Sequence, residues 1–193
     1  MSLPRYPAYK DSGVPWLGEV PAHWTVKRFK SIVAESKGGI WGEEPQGNDA
    51  DIVCVRVADF DRVALRVRLE EPTLRNVTAR EREGRLLRRG DLLLEKSGGG
   101  EGQLVGCVVL YDHDVPAVCS NFIGRLGLVE GADPGYWGYL FASAYEVRLN
   151  YQSVRQTSGI QNLDQAEYLN EMAPIPPMAE QEAIAAFLDR ETA

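Results

Sequence analysis

The stretch that most restricts the fold lies near the end of the chain, where Pro174-Ile175-Pro176-Pro177 runs into Met178-Ala179-Glu180-Gln181 and then Ile184, Phe187 and Leu188. Each proline lacks the N–H that a helix interior or a central strand needs, so the run predicts a braked strand followed at once by a helix. Pro177 near the first helical position loses no needed donor, and Glu180 and Glu182 suit the positive end of the helix dipole. Ile184, Phe187 and Leu188 fall at i, i+3 and i+4, an apolar stripe that requires a partner. No glycine or other C-cap precedes Ala193, so the helix reads as the start of a longer element whose partner is missing. Ahead of it, Gln156-Thr157-Ser158-Gly159-Ile160-Gln161-Asn162-Leu163 reads as a polar loop feeding the strand.

At 193 residues, with no linker, repeat or low-complexity run, the chain is read as one domain over 1–175 and a helical extension over 176–193. No apolar run approaches the roughly 18 residues of a membrane span, and the first twenty residues lack a signal-peptide core. Cys54, Cys107 and Cys119 are odd in number and lack close pairs, which suits buried thiols of a cytosolic protein rather than disulfides or a zinc site. His23 and His113 fit neither a triad nor a metal-ligand spacing and read as surface or turn residues. Glu35-Ser36-Lys37, with Asp11 upstream, has the spacing of a metal-dependent nuclease, but that pattern is common by chance and reads far better as a solvated loop beside Gly38-Gly39. No catalytic or metal-ligating residue is assigned.

A formal charge of −7 and a pI near 5.0 argue against a phosphate-rich partner until the distribution is considered. Arg56 to Arg89 holds ten arginines against six acids. Within it Arg62, Ala64, Arg66 and Arg68 alternate with Val63, Leu65, Val67 and Leu69, a period-2 pattern that predicts a strand with three arginines on one face. The alternative is a solvated face laced with ion pairs.

Residues 1–24 read as an irregular arm anchored by Trp16 and Trp24. Ile52–Val57, Leu92–Leu94, Leu104–Tyr111 and Val115–Val129 read as strands. Thr78 and Glu81 have capping-box spacing for a short helical turn. Asp133 as N-cap and Pro134 at the first position start a helix whose Trp137, Leu140, Phe141 and Ala144 face a core. Strands followed by helices, without regular alternation, define an α+β fold with a twisted mixed β-sheet and flanking helices.

Glu95-Lys96-Ser97-Gly98-Gly99-Gly100-Glu101-Gly102 fits neither the Walker nor the dinucleotide-binding spacing. It reads as a flexible hairpin loop, while Lys96, Ser97 and the bare backbone of Gly98 can meet phosphates. Asn121, Gln156, Ser158 and Gln161 lie on polar loops and are candidate base or backbone contacts, since amides can contact adenine bidentately. Arg62, Arg66, Arg68 and Lys96 are candidate phosphate contacts.

Four stretches resemble the specificity (S) subunit of type I restriction-modification enzymes: Tyr9 through Trp24, Gly90 through Gly99, Ser120-Asn121-Phe122-Ile123, and the tail described first. The resemblance implies a target-recognition domain followed by the start of a conserved coiled-coil spacer helix. It implies a non-catalytic subunit that reads one half of a split double-stranded DNA target. Methyltransferase (M) subunits using S-adenosylmethionine and a restriction (R) subunit using ATP and magnesium would be its partners, with no cofactor in this chain and no membrane. The setting implied is cytoplasmic. Such subunits carry a second recognition domain, so the resemblance implies a chain shortened at the spacer. A nuclease using Glu35 and Lys37, and an assembly module that docks a methyltransferase without reading DNA, remain the alternatives.

Overall fold

Leu92–Glu95, the most apolar strand, lies inside a six-stranded sheet with the order 33–38, 123–128, 92–95, 108–110, 66–67, 60–61. The pairings are antiparallel except that Val108–Leu110 runs parallel to Arg66–Val67. The computed structural model describes residues 5–99, 103–157 and 159–192. Successive side chains of a strand point to opposite faces, and both faces are covered here. Leu92 and Leu94 enter a core with Trp137, Phe141 and Ala144, whereas Leu93 enters another with Val55, Val109 and Cys119. That is why the run is apolar without alternation. Each leucine fully removed from water contributes about 1.5–3 kcal/mol.

Four α-helices occur among the described residues: α1 (Ala79–Arg82), α2 (Pro134–Glu146), α3 (Gln165–Tyr168) and α4 (Met178–Thr192). Helix α2 starts where the sequence predicts, with the Asp133 carboxylate accepting from the Tyr136 N–H at 2.8 Å. The Thr78–Glu81 capping box likewise forms around α1. A three-stranded sheet in the order 117–119, 51–55, 74–76 covers the Leu93 side. The expected Val115–Val129 strand is two strands, Ala117–Cys119 and Ile123–Leu128, divided by a turn at Ser120–Phe122. Leu104–Tyr111 narrows to Val108–Leu110. The three cysteines are buried free thiols, and burial pushes Cys54 and Cys107 up to about 11. No helix among the described residues is long and apolar enough to cross a membrane.

The arginine-rich strand does not form as predicted. Asp61 accepts from the N–H groups of Val63 and Ala64 at 2.9 and 2.8 Å, folding residues 62–65 into a turn between the short strands Phe60–Asp61 and Arg66–Val67. Six of the ten arginines lie in ion pairs: Arg56 with Asp59, Arg62 with Glu95, Arg66 with Asp112 and Asp189, Arg68 with Asp61, Arg75 with Glu44, and Arg89 with Asp114. The stretch is largely an internal ion-pair lattice, not one basic face.

The tail strand Met172–Ile175 pairs antiparallel with Thr25–Arg28, and α4 follows with Gln181 N–H donating to the Pro177 carbonyl. Part of the apolar stripe finds its partner within the chain, because Ala185 and Ile184 pack into the core beside α2. The Gln181 side chain, 1% exposed, accepts from Asp133 N–H at 3.0 Å and donates to the carbonyls of Pro176 and Gly131 at 2.9 and 3.3 Å. Glu180 gathers the arm: Trp24 Nε1 and the Tyr6 hydroxyl donate to it at 2.9 Å, and His23 Nε2 lies 2.6 Å from it. His23 is thus engaged rather than idle. Trp16 Nε1 donates to the Met172 carbonyl at 3.1 Å, so both predicted tryptophans anchor the arm.

Burial alone would raise the Glu180 carboxyl, but the hydrogen bonds from Trp24, His23 and Tyr6 outweigh it and hold the group below its ordinary 4.5. A lowered carboxylate pKa stabilises above the unfolded value and loses that contribution as pH falls through the folded one. The Trp24 indole N–H resonance should therefore keep its native shift down to about pH 4.5 and move only at lower pH. Glu180→Gln should show the displaced position already at pH 7; a native shift in that variant would refute the clamp.

Candidate nucleic-acid interface

The Gly-rich segment connects Leu92–Glu95 to Val108–Leu110, but its first residues do more than turn. Ser97–Gly98 pairs with Ile160–Leu163, which pairs in turn with Val154–Thr157, giving a separate three-stranded sheet. Two distant polar loops of the sequence thereby become one surface. Ser97 lies opposite Asn162, and Asn162 opposite Arg155. The Ser97 hydroxyl donates to Asn162 Oδ1 at 2.7 Å. Directly opposite residues share a face, so Ser97, Asn162 and Arg155 form a polar row, in which Asn162 and Arg155 are exposed.

The alternate face turns inward. Gln161 is 9% exposed, its side-chain oxygen accepts from the Val105 N–H at 3.0 Å, and its carboxamide packs against Gly99. The structure therefore places Gln161 under the loop as a support and Asn162 outside it. The signal was present in the sequence, since Leu163 shares phase with Gln161 in a period-2 strand and must point to the core. Gln156 is exposed on the outer strand. Ser158 lies outside the described residues.

Lys96 and Ser97 donate their N–H groups to the Phe122 carbonyl at 2.7 and 3.2 Å, which sets the exposed Asn121 beside them. The Lys96 side chain lies against Gly38 and Gly124: a Cβ on Gly38 would sit 3.5 Å from Nζ, and one on Gly124 3.2 Å from the Lys96 chain. Gly98 has φ +131°, a conformation that favours glycine.

Arg62 is committed to a buried carboxylate beneath the loop. Its guanidinium donates to Glu95 Oε2 at 2.9 Å, and the Gln103 carboxamide oxygen, oriented to satisfy its neighbours, accepts from it at 2.9 Å. Glu95 is 1% exposed, and burial raises its carboxyl above the ordinary value despite Arg62. Arg66 lies at the other end of the sheet. Strand register sets it opposite Leu110, itself opposite Leu92, four residues before Lys96 and so roughly 13 Å away along the strand. Arg68 is more than half exposed and 3.8 Å from Asp61. The three arginines thus do not join Lys96 in one patch.

Glu35 accepts from Arg125 Nη1 at 3.0 Å, and Arg125, 3% exposed, is held by Asp91 at 2.6 Å. That structural engagement leaves the Glu35–Lys37 nuclease reading without support. Among the described residues no group of three or more His, Cys, Asp or Glu is gathered for a metal ion.

This α+β arrangement is the fold of the S subunits of type I restriction-modification systems. A chain from a type I R-M system studied for complex assembly and conformational transition superposes with a TM-score of 0.57 at 18% identity, over 89% of this chain and 38% of that one. The HsdS subunit from Thermoanaerobacter tengcongensis gives 0.55 at 17% identity, over 89% and 37%. The type I S subunit from M. genitalium gives 0.53 at 18%, over 86% and 38%. The chain thus spans well under half the length of these structures, and at such identities the likeness is one of fold. No family model and no curated protein matches the sequence.

Removing Arg62 would leave Glu95 buried without its cation, at a cost of about 3 kcal/mol. A raised carboxyl pKa means stability is lost as pH rises from the ordinary carboxylate range through the folded value. Urea unfolding of Arg62→Ala should therefore show a larger deficit at pH 8 than at pH 5, where Glu95 can take up a proton. A deficit equal at both values would contradict the assignment.

Proposed function

We propose that this chain is a DNA target-recognition module of a type I restriction-modification specificity subunit, non-catalytic and cytoplasmic, that reads one half of a bipartite double-stranded target. The observation that carries this reading is the convergence of Lys96, Ser97, Asn121, Arg155 and Asn162 from three separate parts of the chain. Lys96 supplies a cation for phosphate. Hydroxyl and amide groups beside it can meet backbone oxygens or base edges, where a good bidentate pair discriminates by about 1–3 kcal/mol.

On this reading the chain fixes register and leaves reactivity to partners. Methyltransferase (M) subunits would bring S-adenosylmethionine and take the target adenine out of the helix, because the reacting atom is shielded inside a duplex. A restriction (R) subunit would bring ATP and magnesium. Helix α4 would carry the reader toward the M subunits. An acidic chain, with a net charge of −7, then implies weak DNA binding alone and stronger binding in the assembly, where other subunits neutralise most of the phosphates.

In the assembled complex, Lys96→Ala should weaken binding uniformly across sequences and reduce the slope of log affinity against log salt by about 0.9. Asn162→Ala should relax sequence preference without changing that slope. Exchanging residues 25–165 for the corresponding segment of a related subunit should change the methylated sequence in the host genome. An unchanged methylation pattern would favour an assembly module that does not read DNA.

A further inference from the structure

Beside the interface lies a cavity of about 440 Å³, lined by Trp41, Arg56, Val57, Ala58 and the Ser120–Phe122 turn. The DNA reading above uses only Asn121 of these residues. Trp41 and Phe122 are 39% and 46% exposed, two large rings left in water on either side of one hollow.

Both walls are built rigidly. Arg75, 7% exposed, places its guanidinium carbon 4.5 Å from the Trp41 ring centroid and donates to the carbonyls of Trp41 and Gly42 at 3.2 Å. The same guanidinium pairs with Glu44. Gly42, at φ +68°, approaches the Asn76 backbone so closely that a Cβ would meet its carbonyl oxygen at 2.5 Å. On the other wall, Ile123 N–H donates to the Ser120 carbonyl at 3.0 Å, and Lys96 and Ser97 hold the Phe122 carbonyl from below. Gly39 packs against the Cys119 and Ser120 carbonyls where no side chain fits. Arg75 does not line the cavity, so the indole keeps ring surface for an occupant.

The occupant that this chemistry suits is planar and aromatic, with a polar edge and an anionic link. Rings offer stacking, Asn121 offers an amide donor and acceptor, and Arg56, held by Asp59 through Nε and Nη2, leaves a partly exposed guanidinium on the lining. In DNA only a base that has left the stack presents its free faces. We propose that this cavity receives one unstacked nucleobase of the bound DNA, held between Trp41 and Phe122 with Asn121 on its edge. The inference rests on the DNA-recognition reading and adds that the DNA is locally opened.

The test uses the full chain at low ionic strength with a short single-stranded oligothymidylate and an abasic oligonucleotide of equal phosphate number. Trp41 emission is isolated by difference from Trp41→Phe. Thymidylate should quench Trp41 and bind on the order of 5- to 150-fold more tightly than the abasic strand, the span expected for stacking one base. Phe122→Leu, which keeps an apolar side chain but no π face, should bring thymidylate toward abasic affinity with an unchanged Tm. Equal affinity for the two strands without quenching, alongside duplex binding that Lys96→Ala weakens, would overturn the cavity assignment and leave the DNA reading standing. Failure to bind single strand or duplex would overturn both.

Discussion

A carboxylate taken out of water costs several kcal/mol unless a cation meets it with good geometry, and Glu95 is such a carboxylate at the end of the central strand. Arg62 meets it at 2.9 Å from a turn 33 residues earlier in the chain. That pairing ties the turn of the 60–67 hairpin, the last two strands of the sheet, to the central strand, and Lys96 and Ser97 follow directly. It also explains the fate of the basic stretch. A guanidinium spent on a buried acid is unavailable to phosphate, while five further arginines of residues 56–89 form ion pairs, several of them with exposed carboxylates such as Glu44 and Asp114.

The second fixed point is at the head of α4, where adjacent residues work in opposite directions. Glu180 collects the aromatic arm through exposed and half-buried donors, while Gln181 enters the core and satisfies groups around the start of α2. The N-terminal arm and the start of α2 are thereby tied to the same helical turn. The 97–98, 160–163, 154–157 sheet depends on the central strand in the same manner, since its first member continues directly from Glu95. Loops mounted on such supports would need little reordering to meet a ligand.

What was legible in the sequence was local. The Asp133 and Thr78 caps involve partners three residues apart, and the resulting helix starts appear where the pattern places them. The proline run likewise specified a strand end and a helix start. Long-range pairing was not legible: nothing near Arg62 announces Glu95, and Leu65 adopts φ +56°, which leucine composition does not signal. The Asp61 turn was readable in principle, because an aspartate readily caps N–H groups two and three residues on. On the 97–98, 160–163, 154–157 sheet, composition marked the polar loops but missed their phase. Leu163 would have assigned Gln161 inward and Asn162 outward. Trp41 and Phe122 gave no periodic signal, and only the fold brings them to one hollow.

The buried carboxamide of Gln181 has a rotational consequence. An α-helix turns about 100° per residue, so locking one side chain in its first turn fixes the angular heading of every later face. Arg66, bonded to Asp189 at 3.3 Å, checks that heading two turns further along. Helix α4 therefore behaves as an indexed shaft. One residue inserted between Gln181 and Ile184 would swing Ile184 and Ala185 off α2 by about a quarter of a revolution, whereas an insertion after Asp189 would leave the bearing of the shaft untouched.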